Sequence, residues 1–423
     1  MRIIAGLTAM LLSGGAHAAD LLQPPLSAFN WSGFYIGVGG GAGAVVHELN
    51  SPFLGGVALN GIGGEGVFGE VTIGYDHVFA ERLLVGVFAD ARYGGIGTDL
   101  DIPDLALSGS IDAKYGFDVG LRLGYLVTPS TLGYVLGGYS WQRFDLSTSI
   151  PGIAYDWNAD GFVVGAGLET VLSGNWTLKT EYRYAQYSGE DFGSGGLIVA
   201  KPSTHTVHAG LNYRFGAEGG AAASFQGPVY NWTGLHIGAS VGAGGLVHDL
   251  DVPPLGGFGF NGIGAEGVFG EVSVGYDWEF GGGWVVGAMA NARYSSVSTT
   301  LDVGPLVNAS VDADWGYDIL ARFGRKLGDS TLVYALGGYS WQHFEVDISN
   351  PALGNVYDWG ASGYSVGGGI ETALSERTTL GLEYRYSAYS GEDFIAGLGG
   401  PAGLVDVSPS SHTVRLGLKV KLF

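Results

Sequence analysis

The chain has 423 residues, of which 78 are glycine and none is cysteine; 13% are aromatic, only 14% are charged, and 19 basic against 40 acidic side chains give a net charge of −21. Average proteins carry about 7% glycine and about 25% charged residues; this composition therefore leans away from a soluble enzyme, and its aromatic content excludes a disordered polar tract. Without cysteine there are no disulfides, thiolate metal sites or cysteine nucleophiles, and the acidic balance disfavours nucleic acid as a partner.

The first element is a targeting segment. Met1-Arg2, the apolar run Ile3 to Leu12 and the small-x-small site Ala16-His17-Ala18 make residues 1–18 an expected signal peptide. A spanning helix needs about 20 apolar residues, and this run is too short. Residues 19–29 are then an N-terminal periplasmic arm. From there, alternation with period two dominates: Asp112, Lys114, Gly116, Asp118, Gly120 and Arg122 fall on one face, with Tyr115, Phe117, Val119, Leu121 and Leu123 on the other. Eight strands are expected near 31–43, 65–79, 82–93, 110–126, 131–146, 155–172, 176–187 and 203–215. Tight turns at 80–81, 128–130 and 173–175 alternate with longer Gly/Pro/Asp/Ser segments at 44–64, 94–109, 147–154 and 188–202. Short turns on one rim, long loops on the other and an even strand count describe a transmembrane antiparallel up-and-down β-barrel.

The chain then repeats itself. Asn60 to Glu70 (NGIGGEGVFGE) returns as Asn261 to Glu271 (NGIGAEGVFGE), and Leu136 to Gln142 (LGGYSWQ) as Leu336 to Gln342. This divides the chain into a first module at 30–215, a flexible linker at 216–229 and a second module at 230–423. The second module has its own tight turns near Gly282, Gly328 and Glu376. Two architectures follow: two eight-stranded barrels in tandem, or sixteen strands in one porin-like cylinder. The length of the linker and a closing-strand pattern in mid-chain favour the first.

Asn30-Trp31-Ser32-Gly33-Phe34-Tyr35-Ile36-Gly37, placed just after a signal peptide, resembles the eight-stranded outer-membrane β-barrel family of Gram-negative bacteria. These are the outer-membrane immunogenic or porin-family proteins, similar to the OmpA transmembrane barrel. A second mark is the family's closing strand, polar-x-Gly-x-x-apolar-x-apolar. It is matched by His208, Gly210, Tyr213 and Phe215, and again by Arg415, Gly417, Val420 and Leu422 before the terminal Phe423. The resemblance implies outer-membrane localisation, contact with outer-membrane lipids and lipopolysaccharide, and delivery by periplasmic chaperones and the outer-membrane assembly machinery. It implies no enzyme activity and no cofactor. Ordinary members carry one barrel, so the duplication is a departure.

Charged residues of the polar faces are expected in the lumen, since Lys or Arg facing lipid at the midplane costs about 2–4 kcal/mol. In the first module these are Glu70, Asp90, Arg92, Asp112, Lys114, Asp118, Arg122, Glu169, Lys179, Glu181, Arg183 and Arg214. Their counterparts are Glu271, Arg293, Asp312, Asp314, Asp318, Arg322, Glu371, Glu383, Arg385 and Lys421. Opposed charges that pair and fill a narrow interior outweigh an ion path. Trp31, Tyr75, Phe79, Tyr93, Tyr125, Trp176, Tyr182, Tyr184, Tyr213 and Phe215 are expected in aromatic girdles. His47, His248, His205 and His412 are expected at loops or interfaces, where a haemin ligand is a minor reading. Gly61 to Gly66 and Gly363 to Gly367 match nucleotide-binding and nucleophile-elbow patterns without the helix that either needs. The functional expectation is a structural, surface-exposed envelope protein, with a diffusion porin as the alternative.

Overall fold

The computed structural model describes residues 29–51, 57–151, 154–192, 198–217, 225–255, 257–303, 308–348, 357–397 and 401–422. The signal segment with Ala16 and Ala18, most of the arm and Phe423 lie outside the described residues.

In the first module an antiparallel meander runs through β1 (Gly33–Ser51), β2 (Val57–Phe79), β3 (Leu83–Ile102), β4 (Leu107–Thr128), β5 (Thr131–Thr148) and β6 (Ala154–Ser173). It continues through β7 (Trp176–Tyr187), its short extension β8 (Glu190–Phe192), and β9 (Ile198–Arg214). β9 closes on β1, from Tyr35↔Arg214 to Asn50↔Val199. The second module repeats this with β10 (Gly234–Val252), β11 (Phe258–Phe280), β12 (Trp284–Val303), β13 (Asn308–Leu327), β14 (Thr331–Ile348), β15 (Tyr357–Ala373), β16 (Thr378–Tyr389), β17 (Glu392–Asp393) and β18 (Asp406–Lys421). β18 closes on β10, from His236↔Lys421 to Asp251↔Asp406. The fold is therefore two eight-stranded barrels, and the sixteen-stranded cylinder is not adopted. Each module brings a matched first and last strand, so closing locally leaves no unpaired edge in lipid.

An apolar outer band identifies the membrane-crossing part. On β2 and β3 the side chains of Val71, Ile73, Val85 and Val87 face outward and exposed, between Tyr93 at one level and Phe79 and Leu83 at the other. Across this band β2 runs from Gly69, paired with Tyr93, to Phe79, about the 9–11 residues that a barrel strand needs. Yet β2 has 23 residues. Segments 44–64 and 94–109, expected as loops, are mostly strand above the band, with β1–β2 pairing up to Ser51↔Val57 and β3–β4 up to Ile102↔Leu107. A strand in water needs no greasy outer face, so its Gly- and Asp-rich sequence reads as loop.

Bulges change which residues face in. The register shifts at Tyr93/Ile96 and Ala113/Tyr115 leave an extra residue at Lys114 and reverse the parity of β4 above the band, while β3 keeps its own. Ala113 is buried inside the barrel, so Asp112, expected in the lumen, stands on the outer side, bonded to Ser110. Lys114 occupies the bulge, half-exposed and paired with Asp145 at 2.9 Å. The same bulge at Ala313/Gly316 moves Asp312 and Asp314 out of the second lumen; Asp314 pairs with His343 instead. Trp31 also departs from expectation. It precedes β1, folds under the barrel and donates to the Pro129 carbonyl at 3.0 Å, buried rather than in the girdle.

The two barrels stand side by side about a pseudo-two-fold axis. Leu168, Leu178 and Val207, on the outer face of the first, pack against Ile370, Leu382 and Val414 of the second. At the short-turn end the Thr131 and Thr331 hydroxyls meet at 2.9 Å. At the other end Ile62 pairs with Ile263. Above that point the modules exchange partners. Val57 to Asn60 of β2 pair with Thr300 to Val303 of β12, and Gly259 to Asn261 of β11 pair with Asp99 to Asp101 of β3. The outer ends of the β1–β2 and β10–β11 hairpins thus lie on the other module's sheet.

Candidate functional site

The lumens are the chemically dense part of the molecule, and each is filled in two charged layers. Near the short-turn end of the first barrel, Arg122 donates to Asp76 at 2.8 Å and to Glu169 at 3.0 Å. Arg214 reaches Asp76 at 2.8 Å and Glu169 at 2.9 Å. Two guanidiniums and two carboxylates balance. Above them, Arg183 joins Asp90, Asp118 (2.8 Å) and Glu181 (2.6 Å), Arg92 binds Asp118 (2.8 Å), and Lys179 bridges Glu70 (3.0 Å) and Glu181 (3.5 Å). His208 closes this layer against Glu70 at 2.7 Å.

The second barrel keeps the plan while moving the charges. Below, Arg322 joins Asp277 and Glu371, and Lys419 reaches Glu371 at 2.8 Å. Above, Arg293 and Arg385 hold Asp318, each at 2.8 Å, and Arg385 also holds Glu271 and Glu383. The register places Asn291 where the first barrel has Asp90, Gly381 where it has Lys179, and Arg415 where it has His208. Acid and base change together, which preserves near-neutrality inside. Two water-sized cavities lie there, about 20 Å³ beside Arg92 and Asp118 and about 30 Å³ beside Arg293 and Arg415. Apart from Asp112, Lys114, Asp312 and Asp314, the lumen charges proposed from sequence lie on the inner face. Sequence reasoning passed over Asp76 and Asp277, although Asp76 shares the parity of Glu70 on β2.

Above the charged layers an aromatic plug closes each mouth. Phe144 stacks on Trp157 with ring centroids 5.1 Å apart, and the His47 ring meets Phe144 edge-on at 5.7 Å. Phe344, Trp359 and His248 repeat this. His47 and His248 are thus buried in the lumen above the membrane band, not placed on a loop to hold an axial ligand. Burial pushes both imidazoles down to about 4. They fold neutral, so protonating them costs more in the folded chain than in the unfolded one. Stability from these two sites is present above the usual 6.5 and is lost as pH falls from there toward 4. Changing both to phenylalanine should reduce the acid sensitivity of unfolding, read as gel mobility after graded heating at neutral and acidic pH. An unchanged pH dependence in the double variant would refute it.

His205 and His412 sit in the seam. His205 Nε2 lies 2.9 Å from Glu266 of the other barrel and its Nδ1 lies 2.6 Å from the Tyr182 hydroxyl. His412 reaches Glu65 at 3.0 Å and Tyr384 at 2.8 Å. Burial alone would raise both glutamates, but the hydrogen bonds and charge of the facing imidazoles hold them below the usual carboxylate range. Ser203 and Ser410 donate to these glutamates at 2.7 and 2.8 Å. The hydroxyls therefore point to a carboxylate, an arrangement unlike an activated nucleophile. Ser365, in the GxSxG pattern, is buried in β15 against Ser387 at 2.6 Å.

Residues 6–215 and 219–421 each match the outer membrane protein beta-barrel domain family. The chain belongs to this family. It is similar to the 31 kDa outer-membrane immunogenic protein of Brucella melitensis, 27% identical over 241 residues that cover 50% of this chain and 98% of that protein. The 22 kDa outer membrane protein of Rhizobium leguminosarum bv. viciae is 27% identical over 45% of this chain and 82% of its own. Among solved structures, Neisserial surface protein A covers 45% of this chain and 98% of its own, with 14% identity and a TM-score of 0.28. The deltaS2 mutant of the TodX monoaromatic hydrocarbon channel covers 94% of this chain and 92% of its own, with 10% identity and a TM-score of 0.29. This outer-membrane barrel protein therefore resides in the outer membrane, with its short turns periplasmic and its extended strands outside. In its closing strands, Gly210 faces the first lumen, while Phe215, Val420 and Leu422 are exposed on the outer surface.

Proposed function

We propose that this outer-membrane barrel protein is a non-conducting, non-enzymatic envelope component that anchors and displays a rigid extracellular surface. The observation that carries this reading is the filling of both lumens by two ion-paired layers and an aromatic plug; the cavities beside Arg92 and beside Arg415 are about 20 and 30 Å³, room for about a water or two each. A solute would have to break several buried ion pairs to pass. On this reading the protein's partners are outer-membrane lipid and lipopolysaccharide around the bands, and chaperones and assembly machinery on the way there. Its surface function rests with the strand extensions and loops. The test is planar-bilayer recording of the folded mature chain. Silence or brief small flickers are expected; a stable, large open state would overturn the proposal in favour of a diffusion porin.

A further inference from the structure

The upper layers of the two lumens differ in a way that structural filling alone does not require. In the first, Glu70, Asp90, Asp118 and Glu181 face Arg92, Lys179 and Arg183, and both His208 nitrogens are engaged, with Glu70 at 2.7 Å and Thr206 at 2.9 Å. In the second, one carboxylate is gone at Asn291, the lysine is gone at Gly381, and a guanidinium stands at Arg415. Arg415 is buried, 4% exposed. Its contacts are the loosest of the lumen arginines: Nη1 lies 3.3 Å from Glu383 and 3.8 Å from Glu271, Nη2 donates to the Thr413 hydroxyl at 3.0 Å, and Nε has no partner among the described residues. A buried N–H without an acceptor is costly, more so on a charged group.

That side chain lines the cavity of about 30 Å³, together with Arg293, Gln342, Ser387, Tyr389 and Ser411. The lining is rich in donors, with two guanidiniums, hydroxyls and an amide, and no described carboxylate contributes to it. The corresponding cavity of the first barrel is lined by Asp118 beside Arg92 and Arg183, so a carboxylate already stands in it; in the second, Arg293 is held by Asp318 and Arg415 is the loosely paired cation. We propose that the second lumen binds one small monovalent inorganic anion of the halide class at Arg415. The anion accepts from the Arg415 guanidinium and the cavity hydroxyls. It sits in a water-sized site, so binding does not imply conduction, and the inference stands whichever surface role the protein has.

The test uses the full mature chain folded in detergent and crystallised from bromide, with anomalous scattering to locate the ion. A bromide peak is expected within hydrogen-bond reach of Arg415, with none beside His208. Arg415→His installs the residue the first barrel already uses at this position and should remove the peak. In solution, the unfolding midpoint of the parent should rise in chloride over gluconate at equal ionic strength, and that difference should vanish in the variant. An ordered second lumen without bromide, equal peaks in both barrels, or a peak of unchanged height in R415H would each overturn the assignment. Should R415H not fold, the comparison of the two lumens within the parent chain still decides it.

Discussion

Replacing Glu169 with leucine should cost about 3–5 kcal/mol of folding stability, the range for removing one partner from a buried ionic cluster. Glu169 is fully buried. It accepts from Arg122 at 3.0 Å, Arg214 at 2.9 Å, Thr177 at 2.6 Å and Asn212 at 3.1 Å. Leucine cannot accept any of these. Two guanidiniums are then left to share Asp76 in a cross-section lined by Tyr35 and Tyr134. Moving either arginine out to lipid is no escape, since the outer band is the more expensive place. Denaturant unfolding in detergent, followed by tryptophan fluorescence, measures the loss. A change below about 1 kcal/mol would mean that water already solvates this layer, and the closed-lumen reading would fall with it.

The second large effect belongs to the seam. A Cβ on Gly63 would sit 2.4 Å from the Gly264 Cα, and one on Gly264 would sit 2.5 Å from the Gly63 Cα. Both obstacles are backbone, so no rotamer relieves them. Overpacking of this kind costs about 1–3 kcal/mol per site, and the cheapest relief is to part the barrels at their outer end. The double variant Gly63→Ala, Gly264→Ala should therefore keep two folded barrels but lose the β2–β12 and β3–β11 pairing. The chain has no cysteine, so an engineered pair reports cleanly. Ile62→Cys with Ile263→Cys, opposite each other across the axis, should cross-link on oxidation in the parent and fail in the glycine variant. Thr131→Cys with Thr331→Cys, at the periplasmic end, should link in both. Equal outer cross-linking in the two backgrounds would show that the glycines do not set the approach.

Period-two alternation and the pattern of short and long connections were enough to read an up-and-down barrel, its strand order and most of the inward charges, while the linker and the mid-chain closing strand only tilted the reading toward two barrels over one. Asp118, Arg122, Glu169 and Arg183 obey that parity because they lie within the membrane band, where lipid enforces it. Asp112 does not, because a bulge two residues on reverses the strand, and outside lipid nothing in the residue types marks the reversal. The long extensions of β1 to β4 escaped notice for the same reason. Glu65 and Glu266 were illegible for a different one: each finds its imidazole on the opposite barrel, and no spacing within one module encodes a contact across the seam. Trp31 looked like a girdle residue by type, but the turn before β1 sends it beneath the barrel.

The exchanged hairpins have a consequence for biogenesis. The outer end of β3 takes its partner from β11, and that of β2 from β12, both made only after the linker has been passed. The first barrel can close in the membrane by itself, since β1 and β9 lie in the same module. Its outer rim cannot be completed until the second barrel has arrived beside it, on the correct side and in the correct rotation. Maturation is thus split into an early step in lipid and a late one in water, and the late step inspects the early one: only two correctly inserted neighbours can finish each other.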